Sequence, residues 1–219
     1  MTNRDLARHS GDSMPVSRAS RRAQDGVEGN ARLTGSLAAV LLVLLAAEGV
    51  TILRVRGLLT LHVFIGMVLV PPVLFKMAST GWRFVKYYVG SPAYRRKGPP
   101  PALLRLLGPV VVVLTLAVFA TGIALLFAPQ GWRSPLLLLH KASFVVWLGV
   151  MAVHVLGHLL DTARLAPRDW LRRTRSQVNG AGLRQWAIAS SLAVGVLLAV
   201  VVAPRVGPWL LTGQLGHAG

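Results

Sequence analysis

Residues 136–160 read LLLLHKASFVVWLGVMAVHVLGHLL. At about 1.5 Å per residue a helix of this length crosses the ~30 Å hydrocarbon core of a bilayer. It also carries three imidazoles, His140, His154 and His158. Polar rings in a spanning helix are costly and turn toward a helix-bundle interior or a cavity, so each marks a candidate functional position. His140 and His154 are separated by thirteen residues, which leaves them roughly 40° apart on one face and about 21 Å apart along the axis.

Four further apolar segments follow from the same criterion, at about 35–53, 58–78, 103–127 and 185–203. The predicted fold is therefore an all-α integral membrane protein with five transmembrane helices. Short connections at 54–57 and 129–135 make neighbours antiparallel, so the first four spans form an up-and-down four-helix bundle and the fifth is added to it. Residues 1–35 are polar, with six arginines among Ser, Gly, Asp and Asn, and are expected to be a disordered tail. Residues 79–101, STGWRFVKYYVGSPAYRRKGPPP, are expected as an amphipathic loop in the headgroup layer, and 204–219 as a short tail.

The chain is 53% hydrophobic with a net charge of +17. No aromatic–basic platform or recognition motif accompanies the charge, so nucleic-acid binding is not expected. The basic residues instead cluster between spans. Eighteen fall in 1–35, 79–105 and 161–184, against four on the opposite side (Arg54, Arg56, Arg133 and Arg205). The positive-inside rule then makes the expected location a cell membrane, with a cytoplasmic N-terminus and an external C-terminus. There are no cysteines, which excludes disulfides, thiolate haem ligation and cysteine-held iron–sulfur clusters.

With this topology the second and fourth spans run in parallel. His62 lies four residues into the second, level with His140 in the fourth. Two imidazoles at one depth on separate helices are placed to ligate a haem iron from opposite faces. Gly66 lies one turn past His62 and offers a flat surface for a macrocycle, while Trp147, seven residues past His140, points inward with it. At the other end, the position fourteen residues past His62 is Lys76 rather than histidine, and His158 stands near Asp161 as a candidate interfacial pair. Pro71-Pro72 is expected to kink the second span. Glu48, the one acid in any span, is read as an interfacial ion pair with Arg54 or Arg56, with proton handling as the alternative.

The spacing of His140 and His154, with His62 on a parallel span, resembles the membrane-embedded b-type cytochromes, including cytochrome b561-like and cytochrome b-like four-helix proteins. The likeness covers about residues 36–160. It implies haem b as cofactor, with His62 and His140 as axial ligands of an outer haem and His154 as ligand of an inner one. It also implies one-electron transfer to or from a quinone or a partner oxidoreductase within the lipid bilayer. Lys76 departs from the pattern, so one haem is expected rather than two. The competing expectations are a haem-free membrane scaffold or accessory subunit, and a small transporter or metal-handling protein built on His154 and His158. No serine–histidine–aspartate, phosphate-loop or zinc-protease motif supports hydrolysis.

Overall fold

The computed structural model describes residues 18–90, 92, 95 and 102–211. Among these residues the fold is all-helical, with α1 (Arg18–Leu53), α2 (Val55–Tyr88), α3 (Ala102–Phe127), α4 (Gln130–Leu165) and α5 (Ala181–Val202). One-turn pieces at Ala166–Asp169, Arg172–Arg175, Ala203–Val206 and Gly207–Leu211 complete it. Five helices are long and apolar enough to cross a membrane.

Several elements are longer than hydropathy alone suggests. Residues 18–35, expected as part of a disordered tail, form the first half of α1; residues 1–17 lie outside the described residues. The reason is a buried stripe inside a charged segment. Val27 and Ala31 are covered one turn apart and continue into Leu37 and Leu41, while Arg32 and Ser36 are buried beside them. At 36 residues α1 is about 54 Å long, so nearly half of it lies beyond what a ~30 Å hydrocarbon layer needs.

Likewise α2 runs on through Ser79–Tyr88, where a loop was expected. Its added turns carry exposed Trp82, Phe84 and Tyr88, with Lys86 over the Trp82 ring at 4.6 Å. α4 starts at Gln130 rather than 136, because the Trp132 amide bonds Pro129 O at 2.9 Å and opens the helix before Pro135. The expected kink at Pro71-Pro72 is not where α2 departs from helical dihedrals. That departure is at Leu58 (φ −120°, ψ 20°), just after the Arg54 turn, whose carbonyl accepts from the Gly57 and Leu58 amides at 3.0 Å. Beyond α5, residues 203–211 are short helical turns instead of a tail.

α2 packs between α1 and α5, and α3 pairs with α4, which also touches α1. The buried core gathers Met67, Val68 and Ala199, with Leu44, Val63, Phe64, Ile123, Leu192, Leu198 and Val202 against it. α5 is therefore not an appendage. Gly195 lets it press onto α2 so closely that a Cβ there would stand 2.5 Å from Val68 O. α4, the helix with three histidines, has no buried residue.

A polar cap closes the end formed by the start of α1 and residues 166–185. Asp169 is 1% exposed and takes two bonds from the Arg184 guanidinium, one of them at 2.7 Å, with Arg32 at 3.6 Å. Arg32, 2% exposed, also donates to Thr174 O (2.8 Å), Gln177 Oε1 (3.3 Å) and Glu28 Oε1 (3.3 Å). Arg168 bonds Glu28 at 3.0 Å, and the Gln185 amide bonds Asp169 O at 2.8 Å. Glu28, Arg32, Arg168, Asp169 and Arg184 all have a partner of opposite charge, which is the condition for burying a charge.

Candidate functional site

The structure places His62 against α1. Its Nδ1 lies 2.9 Å from Glu48 Oε1 and 3.2 Å from Thr51 Oγ1. The Thr51 hydroxyl donates to Glu48 O at 2.7 Å, so its lone pairs face the imidazole. Both neighbours of Nδ1 are then acceptors, and the ring proton belongs on Nδ1. Glu48 is thus the partner of His62, not of Arg54 or Arg56 as the sequence reading had it. The physical reason is the short 54–57 turn, which lays the end of α1 directly along the start of α2.

His140 is held in the same way by α3. Its Nδ1 is 3.0 Å from Thr121 Oγ1, and the Thr121 hydroxyl donates to Ala117 O at 2.7 Å. Thr121 is therefore placed to accept from His140 Nδ1–H. Gly122 makes room for the ring, since a Cβ there would stand 3.0 Å from His140 Cε1. Trp147, on the same side of α4, donates from Nε1 to Thr115 Oγ1 at 2.9 Å.

α2, which carries His62, and α4, which carries His140, share no extensive packing surface. The expected surface at Gly66 is taken differently: the space beside it faces Glu48 Oε1, 3.5 Å from where a Cβ would be. Gly66 lies against the carboxylate that holds His62.

The other two histidines of α4 form a second group. The His154 and His158 rings are 4.8 Å apart, and both lie within the electrostatic reach of Lys76 on α2, with Asp161 near His158. His154 Nδ1 is buried without a hydrogen-bond partner. The Lys76 ammonium donates to Thr34 O at 3.4 Å. Among the described residues no three His, Asp or Glu side chains converge to hold a bare metal ion.

Three partners were missed from sequence: Glu48 as the holder of His62, Thr51 beside it, and Thr121 as the holder of His140. The first had a readable signal. Glu48 and His62 stand seven residues on either side of Val55, the centre of the helical hairpin. No family model, no curated protein and no solved structure matches this chain.

Proposed function

We propose that the protein is a membrane-embedded b-type cytochrome that takes up one haem b between His62 and His140 and relays single electrons. In this reading the helices span the bilayer with the N-terminus cytoplasmic, and electrons pass to or from a quinone or a partner oxidoreductase. One observation carries it: both imidazoles have Nδ1 held by a side chain of a neighbouring helix, Glu48 for His62 and Thr121 for His140. Histidines that ligate metals are oriented in this way, with the far nitrogen donating to a carboxylate or another oxygen acceptor.

The donor set, two imidazoles each held at Nδ1, suits a haem at this end. Bound haem supplies a one-electron carrier; the chain supplies the rest. His62 and His140 present nitrogen lone pairs from two helices. Glu48, Thr51 and Thr121 fix the rings against rotation and hold the proton at Nδ1. The surrounding apolar helices keep water from the carrier, which together with ligand basicity tunes its potential.

The residues at the other end do not fit a second haem. His154 lacks the acceptor at Nδ1 that an axial imidazole uses, and the facing position holds Lys76, engaged with Thr34.

The competing reading is a haem-free scaffold subunit. It draws on the polar cap, which fixes the architecture without any reacting group. Protein expressed in haem-replete cells and purified in mild detergent separates the two. We expect a reducible b-type spectrum and a haem-to-protein ratio near one, abolished by either His62→Ala or His140→Ala. Colourless protein, or full haem in both variants, overturns the assignment; a ratio near two restores the inner site.

A further inference from the structure

If His62 and His140 are the axial pair proposed above, their environments are unequal. His140 leans on a hydroxyl, whereas His62 leans on the Glu48 carboxylate. The His62 and Glu48 side chains are 22% and 12% exposed, so the pair sits in a medium that screens charge poorly. Thr51, 1% exposed, bridges Glu48 O, Glu48 Oε2 (3.2 Å) and the imidazole, which locks the carboxylate in place.

We propose that Glu48 is a positioning residue that makes His62 the stronger donor of the two axial ligands and holds the haem at low potential. A charge-assisted acceptor at Nδ1 pushes electron density onto Nε2 more than a hydroxyl does. A more basic nitrogen stabilises the oxidised, more positive iron. The buried negative charge acts in the same direction, disfavouring the added electron. The inference rests on the haem reading, and its test separates the two.

The experiment is a redox titration of detergent-purified protein, wild type against Glu48→Gln and Thr121→Val, with low-temperature electron paramagnetic resonance of the oxidised forms. Gln keeps an acceptor oxygen at the same reach and removes only the charge. In Glu48→Gln the haem is expected to remain while the reduction equilibrium moves about tenfold toward the reduced form, ~59 mV for a one-electron couple. The low-spin g-values are expected to move with it, and Thr121→Val to shift both by less. A Glu48→Gln protein with wild-type potential and g-values overturns the role of Glu48 and leaves the haem reading standing. So does a shift in Thr121→Val as large as in Glu48→Gln. A wild-type protein without haem overturns both. As a check independent of the loaded protein, histidine ¹⁵N spectra of protein made without haem should show His62 protonated at Nδ1. The same spectrum in Glu48→Leu, which removes the acceptor, as in wild type argues against the contact itself.

Discussion

Removing the Asp169 carboxylate is the sharpest test of the helical frame. In Asp169→Ala the Arg184 guanidinium loses both of its carboxylate bonds and keeps Asn179 O at 2.8 Å. Arg32 loses its 3.6 Å neighbour but keeps Thr174 O, Gln177 and Glu28. The cost is therefore concentrated on Arg184. Two charge-assisted bonds at about 1.5–3 kcal/mol each, with a cation left short of partners, give roughly 3–5 kcal/mol. Set against typical stabilities of about 5–15 kcal/mol, that is a large share of the total.

Thermal unfolding in detergent, followed by circular dichroism, should show the melting temperature falling by roughly 10 °C. The double variant Asp169→Ala/Arg184→Ala should recover part of the loss, because it no longer leaves a buried cation alone. The cap lies at the opposite end from His62 and His140, so haem bound per folded molecule should stay at the wild-type level. A variant that melts within ~2 °C of wild type refutes the argument. Losses that add fully in the double variant would show that the two residues act separately.

Two further outcomes follow from close approaches. Gly195→Ala puts a Cβ 2.5 Å from Val68 O and 3.0 Å from Val68 Cα, which are backbone atoms that cannot swing aside; the α2–α5 crossing must open, costing about 1–3 kcal/mol, and unchanged thermal unfolding would count against it. Gly122→Ala puts a methyl 3.0 Å from His140 Cε1, so the ring must shift by a few tenths of an ångström against its Thr121 contact; haem affinity measured by titration into haem-free protein should fall, by up to roughly tenfold, and wild-type affinity would refute the placement of His140.

What could be read from the sequence was whatever depends on composition over many residues. Five long apolar runs gave five long helices, because a helix is the way an isolated apolar segment satisfies its backbone. The first half of α1 escaped because its stripe of Val27 and Ala31 is short and surrounded by charge. The cover for that stripe, Val178 and Asp169 with the turns around them, lies some 140 residues away in the chain. Segments ended by hydropathy at 78 and 136 were likewise cut short, since an interfacial helix loses apolar composition before it loses helical hydrogen bonds.

The candidate site divides along the same line. His62 and His140 were found as residue types out of place in two apolar runs, and a common level for them was an expectation from counting positions along the chain. The identity of their holders depended on rotational phase, which hydropathy does not carry. Glu48 illustrates the difference. By charge alone, Arg54 and Arg56 are its nearest answers in sequence, yet both lie at the turn, where water satisfies a guanidinium without help. His62 is farther along the chain, but the antiparallel return of α2 brings it to the height of Glu48, and an imidazole at that depth has fewer alternatives. In a helical hairpin the contest for a buried acid is therefore settled by height above the turn, and residues equidistant from it are the first pairs to examine.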